Sequence, residues 1–170
     1  MPDYGVDDQA WSPLPWSWAA ERLVASRSFW VVTASAGGRP HAMPVWGVWD
    51  DQELRFAFSC GPRSRKARNL AANPQVVVMV DGTVECVSVE GVAAAVAGDE
   101  RAAHWVGRYL TKYQPTAPEL TADFVHQNLI VEVEPERAFG IIEREDEFST
   151  RATRWVFSSS EEASGGPAGP

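Results

Sequence analysis

Three runs of strand-forming residues follow one another between Phe29 and Phe58, and the gaps between them are too short to hold a helix. Phe29-Trp30-Val31-Val32-Thr33-Ala34 is rich in aromatic and β-branched side chains. Ala36-Gly37-Gly38-Arg39 then turns the chain, because paired glycines accept positive φ. His41 to Trp49 returns as a second strand, with Pro44 marking an edge, a bulge or an interruption. Asp50-Asp51-Gln52 leads into a third run, Glu53 to Phe58. A parallel crossover needs about a dozen residues or more, so strands joined this closely pair antiparallel.

The rest of the chain extends the pattern. Val76 to Val80 is a continuous apolar run suited to a buried strand. After Asp81-Gly82 a long strand spans 85–97, with Val87, Val89, Gly91 and Ala93 on one face and Ser88, Glu90 and Val92 on the other. Residues 128–134 alternate in the same way, and 138–142 and 153–157 complete the set. Helical spacing places Leu14, Trp18, Leu23 and Val24 in a segment over 13–25. Ser64 caps a short helix that turns Leu70 and Ala71 inward and ends before Asn73-Pro74. A longer helix runs from Asp99 to about Tyr113, where Pro115 and Pro118 stop it. With about seven strands and two main helices, the expectation is a mainly β fold. Closing an antiparallel sheet into a barrel protects its edges. One domain is expected over 13–157, with a loose arm over 1–12 and a Ser/Gly/Pro/Glu tail over 158–170 that cannot bury a core.

Composition narrows the function. The 170 residues suffice for a sizeable core, and the net charge of −8 disfavours a general nucleic-acid binder. Cys60 and Cys86 have no metal-like spacing and read as small core hydrophobes in a reducing compartment. The Met1-Pro2-Asp3-Tyr4 start is unlike a signal peptide, and no stretch approaches the ~18 apolar residues of a membrane span. A cytoplasmic protein is expected. Eight Trp residues exceed ordinary packing needs. Burial accounts for most, leaving about two or three to stack on a conjugated ring.

No G-x-S-x-G elbow, Walker-type loop, H-E-x-x-H or C-x-x-C pattern is present, and Gly37-Gly38 offers only a turn. His41, His104 and His126 are scattered and form no metal-ligand pattern, so no metal is expected. No catalytic constellation is assigned. The strongest local feature is Ser59-Cys60-Gly61-Pro62-Arg63-Ser64-Arg65-Lys66-Ala67-Arg68-Asn69, with four cations within six residues of an acidic chain. They fall where a strand ends and a helix begins. A helix N-terminus offers unpaired N–H groups, and Arg forks match phosphate oxygens. The alternative is a solvated basic face paired with the abundant Asp and Glu. Before this cluster, Met43-Pro44-Val45-Trp46-Gly47 is apolar and proline-interrupted, so its backbone can face either a planar ligand or a neighbouring strand.

Taken in order, Gly38-Arg39-Pro40-His41, Pro44-Val45-Trp46-Gly47, Ser64 to Leu70, Asn73-Pro74, Val89-Glu90-Gly91 and Tyr109 with Lys112-Tyr113 resemble the pyridoxamine-phosphate-oxidase-like split-barrel superfamily. The similarity is to its actinobacterial flavin- and deazaflavin-binding branch and runs from about Trp16 to Phe157. The resemblance implies a homodimer of six-stranded split barrels with two cofactor sites at the interface. It places the cofactor phosphate on Ser59, Arg63, Ser64, Arg65, Lys66 and Asn69, and the ring along Met43 to Gly47. Trp105, Tyr109 and Trp155 are the expected ring-covering aromatics, contributed from the partner subunit.

Members of the superfamily use flavin mononucleotide (FMN), the deazaflavin coenzyme F-420 or, occasionally, haem. The large basic cluster and the branch similarity favour F-420, whose acidic tail can occupy the extra cations. The implied activity is hydride transfer to an electron-poor double bond in a small molecule. Tyr109, Lys112, His41 or solvent remain open as the proton source. The alternatives are an FMN-dependent oxidoreductase or oxidase and a cofactor carrier without turnover. Pyridoxamine phosphate oxidase itself is disfavoured, because its full set of substrate-phosphate basic residues is not found after the barrel. A structural dimer with a degenerate site is the remaining reading.

Overall fold

The computed structural model describes residues 10–157, and the expectations for 1–9 and 158–170 lie outside the described residues. Helix α1 (Trp16–Ala25) precedes β1 (Ser28–Ala34), β2 (Pro40–Asp50) and β3 (Arg55–Cys60). Helix α2 (Arg65–Ala72), β4 (Gln75–Val80) and β5 (Glu85–Ala95) follow. Then come α3 (Asp99–Tyr113), α4 (Ala122–His126), β6 (Leu129–Ile142), α5 (Phe148–Arg151) and β7 (Thr153–Val156). Among the described residues the strands form one antiparallel sheet in the order β3-β2-β1-β4-β5-β6-β7, and a β3–β6 pairing closes it. Six strands therefore make the barrel, with β7 added outside β6. The expected antiparallel barrel with flanking helices is the observed architecture.

Two of the expected strands, 128–134 and 138–142, are one strand. β6 runs through Pro135, which lies at a register shift opposite Glu90/Gly91 of β5. A bulge tolerates proline because its missing N–H is not needed there. Gly91 faces the same irregularity, and a Cβ there would collide with the Glu134 carbonyl. Sequence punctuation by proline thus marked a kink inside a strand, not its end. The short helices α4 and α5 were not expected.

The core has two compartments. Inside the barrel Phe29, Val31, Phe56, Phe58, Val78, Val87, Val89 and Val133 are buried, each contributing roughly 1.5–3 kcal/mol by leaving water. The alternating faces expected for β5 hold: Val87, Val89, Gly91 and Ala93 point inward. Trp16 of α1 packs against this core, with its ring 5.8 Å from Trp49 and 5.5 Å from Trp155. The second compartment lies between α3, α4 and the sheet, where Trp105, Val106, Tyr109, Tyr113 and Val125 meet Val48, Ala57 and Ile130. That compartment fixes α3 across β2 and β3.

Candidate functional site: a split between β2 and β3

β2 changes partner midway. Residues Pro40 to Trp46 pair with β1, whereas Gly47 to Asp50 pair with β3. The register Gly47↔Phe58 would carry Trp46 to Ser59 and Ala42 to Arg63. Instead Ser59 and Cys60 continue their pairing with β6, and the strands part. One bank of the resulting gap is the edge of β2 over 40–46. The other is the β3 end and the turn into α2.

The edge on the β2 bank is shaped by its prolines. Gly47 directs its backbone N–H and C=O towards Tyr113 and the end of β1, and Trp46 directs its C=O towards Ser59. By alternation, positions 40, 42, 44 and 46 face the gap. Pro40 and Pro44 lack an N–H, so the edge offers the Ala42 and Trp46 amides and the Pro44 carbonyl, none of them used by another described strand. Met43 (44 % exposed) and Trp46 (37 % exposed) flank this edge, while Val45 points into the barrel. Trp46 is already stacked on Tyr113, with centroids 4.6 Å apart and planes 6° from parallel, and Arg27 lies over its ring. Gly47 is required where β2 switches partner, because a Cβ would overlap the Phe56 ring.

On the opposite bank Ser64 is the N-cap of α2, its Oγ accepting the Ala67 amide at 3.3 Å. Arg63, Arg65 and Arg68 are exposed and Lys66 is half-buried. Among the described residues none of the four makes an ion pair. Arg68 instead donates back to the Arg63 carbonyl at 3.1 Å. Among the described residues no carboxylate neutralises this basic face. α2 is anchored by Asn69, which is buried and donates to Thr33 Oγ1 of β1 at 2.9 Å. Asn69 therefore positions the turn from below. Ala71, expected inward, is exposed, and Ala67 is buried in its place.

Three of the expected site residues are internal in this chain. Trp105 is fully buried in the second compartment, with its indole N–H donating to Glu132 Oε2 at 2.5 Å. Trp155 is 2 % exposed and packs over Gly140 beside Trp16. Tyr109 is 2 % exposed, and its hydroxyl donates to the Trp46 carbonyl and accepts the Ser59 amide. None of the three leaves a ring face open to a ligand. Eight tryptophans made an aromatic cover plausible, but only Trp30 and Trp46 are among the exposed large hydrophobics.

Two α3 residues outside the expected cofactor-binding set, Tyr113 and Lys112, the latter named from the sequence only as a possible proton source, meet β2 at Gly47 on the edge away from the gap. Tyr113 Oη accepts the Gly47 amide and has the carbonyl oxygens of Gly47 and Arg27 each at 2.8 Å, either of which can take its single proton. Burial raises the pKa of both α3 tyrosines, that of Tyr113 to about 12. Lys112 Nζ donates to the Gly47 carbonyl at 3.0 Å, and burial lowers its pKa to about 8. The Tyr-x-x-x-Tyr spacing on one helical face was the available signal.

Asp50, Glu53 and His104 bring ligand atoms within 4.8 Å of one another at the far end of β2. Arg108 Nη2 lies 2.5 Å from Asp50 Oδ2, and Arg101 Nη2 lies 2.6 Å from Glu53 Oε2. These guanidiniums already neutralise the carboxylates and would repel a cation. The cluster is a charge network joining α3 to the barrel.

The sequence profile of the pyridoxamine 5'-phosphate oxidase family matches residues 18–141. The chain belongs to this family. No curated protein matches. Solved structures with the same fold include a conserved hypothetical protein of Mycobacterium tuberculosis, at 22 % identity and TM-score 0.64 over 77 % of this chain and 86 % of that one. An F-420 reductase aligns at 22 % identity and TM-score 0.55, covering 69 % and 93 %. The haem storage protein HutZ of Vibrio cholerae aligns at 18 % identity and TM-score 0.57, covering 69 % and 87 %. Identities this low carry the fold across and leave the ligand to be argued from this chain's own residues.

Proposed function

We propose that this member of the family is an oxidoreductase that holds coenzyme F-420 in the split between β2 and β3. The observation that carries the proposal is the basic turn: four cations at a helix N-terminus, without carboxylate partners among the described residues, in a chain of net charge −8. Arg63, Arg65 and Lys66, with the Ser59 and Ser64 hydroxyls, would hold the phosphodiester and its acidic tail. Arg68 adds charge to the same end. The ring would lie along Met43 to Gly47, where the neighbouring Pro44 carbonyl and Trp46 amide suit the N–H and one C=O of an imide edge. When bound, the reduced deazaflavin supplies a hydride to an electron-poor double bond. The protein contributes position, exclusion of water and charge. Asn69 takes part as an anchor, and Trp105 and Trp155 are left out because they are buried.

A second copy of the chain completes this reading. Trp30, Val32, Val77, Met79, Phe139 and Ile141 lie on the outer sheet face, with Trp30 44 % exposed. A homodimer would cover that face and bring a second wall to each cleft. The flavin alternative is favoured by the family name itself, since the same turn and edge suit FMN with fewer cations engaged.

Titration of apo-protein with F-420, FMN and haem separately, followed by quenching of Trp emission, separates these readings. Preferential, submicromolar-range binding of F-420, followed by turnover of an added acceptor with the reduced coenzyme, is the expected result. Preference for FMN moves the function to a flavoprotein with the same site. Binding without any turnover leaves a carrier, and binding of none removes the cofactor reading altogether.

A further inference from the structure

The β2–β3 ladder stops one pair short of where its register leads. Gly47 pairs with Phe58, so Trp46 and Ser59 should come next. Between their backbones stands Tyr109 Oη, donating to the Trp46 carbonyl and accepting the Ser59 amide at 2.9 Å. A direct ladder bond would bring that nitrogen and oxygen to about 2.9 Å of each other. With a hydroxyl oxygen bonded to each, two hydrogen bonds in series span the same gap. Ser59 is held on its other side by pairing with Ile130 of β6, so it cannot swing across. The hydroxyl is equally fixed, because Tyr109 is buried in the second compartment and α3 is pinned to β2 by that packing. Burial also keeps the phenol protonated, so it remains a donor.

We infer that Tyr109 is the wedge of the split: its hydroxyl keeps β2 and β3 apart at Trp46 and Ser59 and so sets the width of the cleft. It acts as a positioning residue and has no need to touch a ligand. The consequence for cofactor affinity rests on the proposed function; the structural half does not.

Tyr113 supplies an internal control. One helical turn later, it bridges the Gly47 amide and the Arg27 carbonyl at the end of the β1–β2 ladder. That is the opposite edge of the same strand, away from the cleft. Loss of the Tyr113 hydroxyl strands the Gly47 amide and the Arg27 carbonyl, whereas the Trp46 and Ser59 groups freed by loss of the Tyr109 hydroxyl can pair with each other, so Y113F should lose more stability than Y109F. Only loss of the Tyr109 hydroxyl should change the gap.

Y109F and Y113F of the full chain are compared with wild type by NMR in the apo state and by cofactor titration. In Y109F a cross-strand contact between the Trp46 and Ser59 backbones is expected, together with slower exchange of the Ser59 amide as the ladder advances one pair. F-420 and FMN affinity should fall about tenfold in Y109F, the size of one lost hydrogen bond, and stay near wild type in Y113F. Y109M, which fills similar space without a hydroxyl, replaces Y109F if that variant does not fold. An unchanged Trp46–Ser59 separation in these variants, or equal affinity loss in Y109F and Y113F, overturns the inference. If wild type binds neither cofactor, the proposed function fails while the apo measurement still decides the wedge.

Discussion

Two clusters of charge flank β2, one at each end, and they are built on opposite rules. At the Asp50 end, Arg101, Arg108, His104, Glu53 and Glu132 interlock, with Arg101 reaching both Glu53 and Glu132. Asp50 is fully buried and its Oδ1 also accepts the Gln52 and Glu53 amides. At the α2 end, Arg63, Arg65, Lys66 and Arg68 have no acidic partner among the described residues. A charge-paired network rigidifies; an unpaired one keeps its attraction for something outside the chain. Residue type does not distinguish the two clusters, and partnering does.

That contrast breaks if charge removal has the same effect at both ends. Arg108→Met leaves the Asp50 carboxylate buried without its closest cation and should cost about 3 kcal/mol of stability, read by chemical denaturation. Cofactor affinity of the folded fraction should stay near wild type. Lys66→Ala reverses the pattern: the melting temperature holds, while F-420 or FMN affinity drops by roughly 1.5–3 kcal/mol in a calorimetric titration. A matched fall in stability would return the turn to the structural class.

Lys112 sharpens the comparison through pH. Its folded pKa, about 8, lies below the ordinary lysine value of 10.5, so between these values the unfolded chain binds more protons than the folded one. Stability from this group is therefore lowest below pH 8 and rises as pH climbs towards 10.5. Measured from pH 7.5 to 9.5, before tyrosine ionisation intrudes, wild type should gain on Lys112→Met. A flat difference would show that the ammonium is solvated in the folded chain. The smallest effect belongs to Glu53→Gln. The Arg101 hydrogen bond holds the Glu53 carboxyl below its usual range, so its contribution is present at neutral pH and is lost as pH falls through that lowered value. The pair is on the surface, and the expected cost is about 0.5 kcal/mol by denaturation at neutral pH.

The barrel was legible because strand runs and short gaps are local signals. Phe29 to Ala34, His41 to Trp49 and Gln75 to Val80 all fall on observed strands, since β-branched and aromatic residues prefer a pleated, half-buried surface. The basic turn was legible too, as a compositional anomaly ahead of a capped helix. The aromatic residues were not. Trp46 and Trp105 are alike in a sequence, yet one is 37 % exposed beside the cleft and the other is fully buried on Glu132. Burial of a ring depends on what other elements bring against it, and Glu132 is far along the chain.

The order of amino acids by itself determined the antiparallel pairing, the edge prolines of β2 and the excess of cations after β3, because each follows from neighbours within a few residues. Only the tertiary structure decided which cations go unpaired, where β2 exchanges β1 for β3, and that the Tyr109 and Tyr113 hydroxyls cap the two ladder ends. Those outcomes depend on contacts between residues about 50 to 65 positions apart, which closing the barrel and docking α3 bring together.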